Sequence, residues 1–484
     1  MTFALIPGDC RDALAHLSDN SIDAVVTDPP YGLSKEPDMA EVLRHWLAGD
    51  DYEHTGAGFM GKTWDSFVPG PTVWAEVHRV LKPGGHCLVF AGTRTFDMMA
   101  LALRLAGFEI RDTLSWLYGQ GFPKSLDVSK AIDKAAGAER EVVGRNPNFR
   151  DPDTNADHHQ RWNGATMTGA VTAPATPEAE QWDGWGTALK PAWEPIIVAR
   201  KPFPGTVAAN VLEHGTGALN IDGCRIGTGD ALVRPAVARR DNAVYGGGLG
   251  VGVQSEPAGR WPANVLLGHH EDCVQVGERK VRTGTAVNRH GHDPALRGYD
   301  GGWGTNPRPD QSHGDADGTE TVPAWECAEG CPVRLLDEQV GPLTSGAPAV
   351  RRESGADRSG NTGAAFGAES RPAGSQMVGY GDTGGASRFF YQAKAAKRER
   401  QFGMPEGERN SHPTIKPWAV MEWLVRLVTP PGGVVLDPFC GSGTTGIAAM
   451  REGFHFVGCE RDEDYAARIA RPRLLAAWVE VRDR

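Results

Sequence analysis

Two apolar runs near opposite ends of the chain finish in Asp-Pro, and each opens into a segment with special backbone demands. Residues 23–27 run into Asp28-Pro29-Pro30-Tyr31, and residues 434–436 run into Asp437-Pro438-Phe439-Cys440-Gly441-Ser442-Gly443. Short apolar runs stopped by proline and glycine read as buried strands that deliver their last residues to a sheet edge. Around them, strands and helices alternate. The periodicity predicts strands over 3–6, 86–91, 108–117 and 194–199, with helices over 10–17, 71–81 and 95–106. Towards the end it predicts a strand over 454–459 and helices over 417–428, 442–451 and 461–476. Such alternation implies an α/β fold, a parallel sheet covered by helices on both faces. Both ends of the chain contribute to that one sheet.

The middle of the chain has a different character. Residues 140–188 are polar and show no period. From 203 to 386, short apolar pieces at 261–267 and 333–340 sit among Gly-, Ser- and Asp-rich stretches, and 341–386 carries few bulky residues. The expected organisation is an N-terminal part over 1–202 with a loose insert at about 140–188. A loop-rich inserted module then covers 203–386, and 387–484 completes the sheet. At 484 residues there is ample chain to bury a core. No apolar run approaches the about 20 residues of a membrane span. The first residues lack the basic and apolar regions of a secretory signal. Eight cysteines without such a signal argue against a disulfide framework and leave metal ligation open.

The glycine turn after 434–436 suits a nucleoside, because glycines let a ligand approach the backbone where a parallel strand ends. It lacks the Gly-Lys-Ser/Thr of a triphosphate cradle. Glu460 ends the next strand at the separation expected of a ribose-binding carboxylate. The same loop also satisfies Gly-x-Gly-x-x-Gly at 441–446, but its Asp-Pro-Phe-Cys has no role in a dehydrogenase. The alternative for these glycines is helix–strand packing alone.

Asp437-Pro-Phe-Cys-Gly-Ser-Gly resembles the cofactor motif of amino DNA methyltransferases. His412-Pro413-Thr414-Ile415-Lys416-Pro417 resembles the element before it, Gly8-Asp9-Cys10 the adenine-edge element, and Asp28-Pro29-Pro30-Tyr31 the catalytic motif. Catalytic motif first and cofactor motif last is the β-class order of that family. The resemblance covers about 1–136, 188–202 and 387–484. It implies a class I, Rossmann-like, circularly permuted fold that binds S-adenosyl-L-methionine and acts on a base flipped out of double-stranded DNA. The 203–386 module then serves target recognition.

Catalysis is implied for Asp28, Pro29, Pro30 and Tyr31. The Asp28 carboxylate and the Pro29 carbonyl would accept the amino hydrogens, and Tyr31 would offer a stacking face. Cofactor binding is implied for Asp9, Thr414, Lys416, Asp437, Pro438, Phe439, Gly441, Ser442, Gly443 and Glu460, with Thr414 and Lys416 at the methionine end unless they cap a helix. Adenine N6 is the favoured acceptor because the motif starts with Asp. Cytosine N4 is the alternative, and an RNA or protein amino group a more distant one. A homodimer and a cognate restriction endonuclease are partners the resemblance leaves open, and the setting it implies is the cytoplasm of a bacterial or phage-infected cell.

The net charge of −11 is unusual for a DNA binder, so contact with phosphates would rest on a local patch. Arg388 to Arg400, with aromatics among cations, is one candidate, unless it is a solvated helix face. In the inserted module, His269, Cys273, Cys327 and Cys331 make a tetrahedral zinc set, with His269 preferred over His270 by resemblance. The alternative is ordinary half-buried thiols and a surface histidine. Cys10, Cys87, Cys440 and Cys459 read as small core residues, and Cys224 has no apparent partner.

Overall fold

The computed structural model describes residues 2–54, 63–119, 125–145, 170–226, 261–270, 272–282, 285–286, 311–312, 319–344, 349–350, 376–377, 383–394 and 397–483. Much of the low-bulk stretch 341–386 lies outside them, as do the side chains of Lys394, Lys397 and Arg398 in the basic segment.

Among the described residues, nine strands form one sheet. In chain order its first members are β1 (Phe3–Pro7), β2 (Ile22–Thr27), β3 (Leu81–Phe90), β4 (Glu109–Leu117), β5 (Trp193–Arg200) and β6 (Val265–His269). A separate antiparallel ribbon, β7 (Val274–Arg282) with β8 (Thr319–Glu326), follows β6. The sheet is completed by β9 (Tyr391–Lys394), β10 (Val434–Asp437) and β11 (His455–Glu460). The spatial order is β1-β11-β10-β2-β3-β5-β4-β6-β9. Both ends of the chain therefore share a sheet, and β10 lies directly beside β2, with Leu436 opposite Val25.

The expected all-parallel sheet is mixed. β5 is antiparallel to both β3 and β4, and the other ladders of this sheet are parallel. Consequently the carboxyl ends of eight strands and the amino end of β5 lie along one edge. Strands buried on both faces read as continuous apolar runs in either direction, so the pattern alone does not reveal the reversal.

Helices cover both faces. On one face pack α1 (Cys10–Ala15), α2 (Met39–Ala48), α3 (Pro71–Val80) and α4 (Phe96–Leu105), burying Leu14, Trp46, Trp74, Val77 and Met99 against Val25, Val89 and Leu436. The opposite core carries α5 (Trp418–Val428), α6 (Thr444–Arg451) and α7 (Arg471–Arg482). There Trp423, Leu424, Ile447 and Leu474 meet Ala24, Val26, Phe90 and Val435. Alternate residues of β2 thus enter different cores, which pins its register. Cys10, Cys87, Cys224, Cys440 and Cys459 are buried free thiols.

Two local differences from expectation have clear causes. The helix expected over 461–476 is broken into Glu463–Tyr465, a wider turn over Ala466–Ala470, and α7. The strand expected over 86–91 begins at Leu81 and runs through Pro83-Gly84-Gly85: Ile22 pairs with Leu81 and Ala24 with His86, so the intervening residues bulge out.

The chain divides into two compact units, residues 1–119 with 193–484, and residues 120–192. The second includes the stretch expected as a loose insert. It holds helices Val128–Ala136 and Pro177–Gln181 and a ribbon of Val142–Arg145 with Ala170–Thr172. Its centre is polar: buried Asp133 accepts from Arg140 Nη1 at 2.6 Å, Thr176 Oγ1 at 2.7 Å and the Ala175 and Thr176 amides. Apolar periodicity cannot reveal a unit organised in this way. The span expected as an inserted module, 203–386, joins the sheet itself through β6.

Candidate active site at the carboxyl edge of the sheet

β2 ends at Thr27 and hands Asp28-Pro29-Pro30-Tyr31 to the edge. The two prolines have no N–H and a fixed φ, so the turn cannot continue a ladder. Asp65, almost fully buried, captures the next two amides: Tyr31 N–H and Gly32 N–H donate to its Oδ1 at 2.9 and 3.1 Å. Thr95 Oγ1 donates to the Tyr31 carbonyl at 2.5 Å. Gly32 has a φ of +69°, and a Cβ there would lie 3.0 Å from Phe67 Cα. The backbone carrying Asp28 is therefore held from three directions.

The Asp28 side chain sits in a compact charged cluster. Its Oδ2 accepts from Lys416 Nζ at 2.7 Å, and its Oδ1 from the Tyr31 hydroxyl at 2.8 Å. Glu194, at the amino end of antiparallel β5, reaches the same place. Its Oε2 lies 3.0 Å from the Tyr31 hydroxyl and 3.3 Å from Lys416 Nζ. Tyr118, just past β4, also bonds to Glu194. Lys416 Nζ is 4.9 Å from the centre of the Phe90 ring and 5.3 Å from that of Tyr31. Burial alone would lower the Lys416 pKa, but Asp28 and Glu194 outweigh it and hold the ammonium above its ordinary value. Burial, reinforced by the same two carboxylates, pushes the Tyr31 phenol well up. In formal charge the cluster holds two carboxylates, one ammonium and neutral phenols, a net of −1.

One strand away, the glycine turn follows β10. Asp437, at the end of β10, is buried. Thr27 Oγ1 donates to its Oδ1 at 2.6 Å, Thr445 Oγ1 to its Oδ2 at 2.5 Å, and Phe439 N–H to Oδ1 at 3.0 Å. Burial pushes its carboxyl up to about 6 despite those donors. Asp437 ties β10 to β2 and α6, and so joins the two motif-bearing turns. Gly441 and Gly443 adopt left-handed φ values of +53° and +79°. A Cβ on Gly441 would lie 2.8 Å from His412 Nε2. Glu460, ending β11, accepts from Gly441 N–H at 2.7 Å and from Asp462 N–H at 2.8 Å. Arg473 donates to the Ser442 carbonyl at 2.8 Å.

Asp9 follows neighbouring β1, caps α1 and pairs with Arg11, which holds its carboxyl below the usual range. Pro438 is buried, and Phe439 packs 6.0 Å from Trp74. Thr414 is exposed, with its carbonyl 2.6 Å from His412 Nδ1.

The geometry therefore forms two neighbouring groups. Asp28, Pro29, Pro30 and Tyr31 gather with Lys416. Asp437, Pro438, Phe439, Gly441, Ser442, Gly443 and Glu460 form the turn beside them, with Asp9 one strand beyond Glu460. Lys416, expected near a cofactor's methionine end, has its ammonium on Asp28 and Glu194. Sequence reasoning missed Glu194, Tyr118, Asp65 and His412. The one available signal for Glu194 was a lone acid heading an apolar run. Farther along the same edge, His269, Cys273, Cys327 and Cys331 converge, with donor atoms within 4.8 Å of one another.

The sequence profile of a DNA methylase family, N6_N4_Mtase, matches residues 22–222 and 230–471, most of the chain. The chain belongs to that DNA methylase family. Its fold is α/β, a mixed sheet covered by helices on both faces, with the Asp28 motif after β2 preceding in the chain the glycine turn after β10. Two curated relatives match over short stretches. Type II methyltransferase M2.DpnII of Streptococcus pneumoniae is 46% identical over 65 residues, 13% of this chain and 24% of its own length. Type II methyltransferase M.ScaI of Streptomyces caespitosus is 48% identical over 58 residues, 12% of this chain and 19% of its own length. The match therefore spans at most a quarter of either relative. Among solved structures, TTHA0409 of Thermus thermophilus, described as a putative DNA modification methylase and complexed with S-adenosyl-L-methionine, aligns at 15% identity with a TM-score of 0.33. That alignment covers 99% of this chain and 96% of TTHA0409. The cytosine-N4-specific PvuII DNA methyltransferase aligns at 12% identity with a TM-score of 0.36, over 100% and 93% of the two chains. Likeness at these levels carries no argument about substrate.

Proposed function

We propose that this methylase transfers the methyl group of S-adenosyl-L-methionine to the exocyclic amino group of a base flipped out of double-stranded DNA, with adenine N6 as the acceptor and the cytoplasm as the setting. The observation that carries this reading is the placement of Asp28 beside the Asp437-to-Gly443 turn, in a chain of the DNA methylase family.

The residues fit such a cofactor. The left-handed glycines open the turn, and Glu460, already anchored through Gly441 and Asp462, retains lone pairs for ribose hydroxyls. When bound, S-adenosyl-L-methionine supplies an electrophilic methyl on a cationic sulfur. The work of the protein is placement and electrostatics. An amino nitrogen conjugated to a ring is a poor nucleophile, and acceptors on its hydrogens localise its lone pair. Asp28 offers a carboxylate and Pro29 a carbonyl for this. With that cofactor bound, N–C bond formation at the expense of the S–C bond would develop positive charge on the amino nitrogen. The net −1 charge of the Asp28–Glu194–Lys416 cluster favours that charge. The proton released from nitrogen passes to Asp28. Flipping the base costs a few kcal/mol, which DNA contacts must supply.

No helix among the described residues is long and apolar enough to cross a membrane. The test is methyl transfer from labelled cofactor to duplex DNA of varied sequence, followed by nucleoside analysis, with Asp28→Ala in parallel. Labelled N6-methyladenine made by the wild type and lost in the variant is the expected result. N4-methylcytosine would replace the base assignment, and labelled RNA or protein without labelled DNA would overturn the reading.

A further inference from the structure

We propose that His269, Cys273, Cys327 and Cys331 bind one zinc ion, and that the ion clamps the base of the β7–β8 ribbon to the carboxyl end of β6, beside the substrate pocket. The inference does not depend on which group the pocket methylates.

The ligand atoms have the spacing of a coordination shell. Cys327 Sγ and Cys331 Sγ lie 3.6 and 3.5 Å from His269 Nδ1, and all four donors fall within 4.8 Å of one another. With Zn–S of about 2.3 Å and Zn–N of about 2.0 Å, a tetrahedron has S···N edges of about 3.5 Å and S···S edges of about 3.8 Å. Three thiolates and one imidazole are a donor set of structural zinc sites.

The surroundings prepare each donor. The Gln392 amide nitrogen donates to the Ser387 carbonyl at 2.9 Å, so its Oε1 must face His269 Nε2, 3.0 Å away. A carbonyl oxygen can only accept, which places the imidazole proton on Nε2. Nδ1 then presents a lone pair to the cysteines, the tautomer that a metal requires. Ser387 is itself anchored by its N–H and hydroxyl on the Asp337 carboxylate, each at 2.8 Å. Backbone amides point at the sulfurs: Ala328 N–H donates to Cys273 Sγ at 3.4 Å, and the His270 and Arg334 amides bond Cys331. Such donors stabilise thiolates rather than thiols.

The topology gives the ion something to hold. His269 is the last residue of β6, Cys273 immediately precedes β7, and Cys327 immediately follows β8. Cys331 is the residue before helix Pro332–Val340. The local core has only four fully buried members among the described residues, two of them these cysteines, too little to fix a ribbon by apolar packing. The clamp also adjoins the pocket. A Cβ on Gly268 would lie 3.4 Å from Tyr118 Cβ, and one on Gly119 would lie 2.7 Å from Pro332 Cγ. Tyr118 in turn bonds Glu194. The ribbon base stands four strand spacings from β2, roughly 19 Å along the edge, within reach of a duplex whose base enters the pocket.

The test begins with metal analysis of the full chain purified without chelators, together with Cys273→Ser, Cys331→Ser and His270→Ala. About one zinc per chain in the wild type and in His270→Ala, with loss in both serine variants, is expected. Replacing zinc with cobalt(II) in the wild type should give the strong visible bands of a tetrahedral thiolate site, a readout that holds even if the serine variants fail to fold. A metal-free wild type that takes up neither ion, a cobalt spectrum of six-coordinate type, or a disulfide among these cysteines would overturn the site. The clamp is tested separately by limited proteolysis. Chelation should expose bonds in 272–331 while β1 to β5 stay protected. Unchanged cleavage after verified zinc removal would overturn the clamp.

Discussion

The sharpest test of the pocket is to remove its cation and then rebalance the charge. Lys416→Met leaves the Asp28 and Glu194 carboxylates facing each other across the Tyr31 hydroxyl, whose bonds to them are 2.8 and 3.0 Å. The three charged side chains are 9%, 21% and 18% exposed for Lys416, Asp28 and Glu194, so water screens them little. At an effective dielectric near 20, the 3.3 Å Lys416–Glu194 contact has a gross attraction of about 5 kcal/mol, and desolvation of the ammonium offsets part of it. Removing one partner of such a buried pair should cost about 3–5 kcal/mol. Glu194→Gln restores the net charge of −1, so Lys416→Met should cost about 2 kcal/mol less in that background. Urea unfolding of the four proteins at pH 7, followed by tryptophan fluorescence, measures the coupling. Repetition at about 0.5 M salt should leave it nearly unchanged, because buried pairs are poorly screened. Costs that add within about 0.5 kcal/mol would refute the shared cluster. Calorimetric titration with S-adenosyl-L-methionine supplies the functional half. With Lys416 on Asp28, the Lys416→Met variant should keep its cofactor affinity within about twofold while transfer falls by about 100-fold. A cofactor affinity weakened tenfold or more would return Lys416 to the methionine end.

Two further substitutions test the glycine turn. Gly441→Ala puts a methyl into a left-handed position, at a backbone cost of about 1–2 kcal/mol, and drives it against His412. Cofactor affinity should fall at least tenfold, and an unchanged calorimetric Kd would refute the close approach. Asp437→Asn should change how stability depends on pH. Burial raises the folded-state value from the ordinary 3.8 to about 6, so this group favours folding most at low pH. That contribution is lost as pH rises through 6 and amounts to about 3 kcal/mol. Between pH 4 and 7 the asparagine variant should therefore gain about that much relative to wild type in urea unfolding. Parallel pH profiles of the two proteins would refute the buried-carboxylate account.

What the sequence made legible follows from which residues leave a backbone signature. Asp28 and Asp437 stand where apolar runs meet prolines and glycines, so their places at strand ends could be read directly. The helices over 96–105 and 418–428 have clear apolar stripes and differ from expectation only at their ends. The unit over 120–192 was not legible because its centre is a carboxylate with four donors rather than an apolar stripe. For the metal ligands the residue types were visible, but their convergence depends on β6 joining the sheet, which no local pattern encodes.

Glu194 shows the deeper reason for the gaps. A search for functional acids naturally examines the carboxyl ends of parallel strands, where Asp28, Asp437 and Glu460 lie. β5 runs the other way between β3 and β4, so its first residues, not its last, arrive at that edge. Lys416 meets Glu194 there from a third direction, carried in just ahead of α5, whose Trp423 and Leu424 share a core with Ala24 and Val26 of β2. Both residues are placed by strand direction and helix packing, which a buried strand's sequence does not encode. Lys416 is marked in the sequence by its motif but not its partners, whereas Glu194 leaves only a charge, which acquires meaning when the reversed strand brings it to within hydrogen-bonding distance of Tyr31.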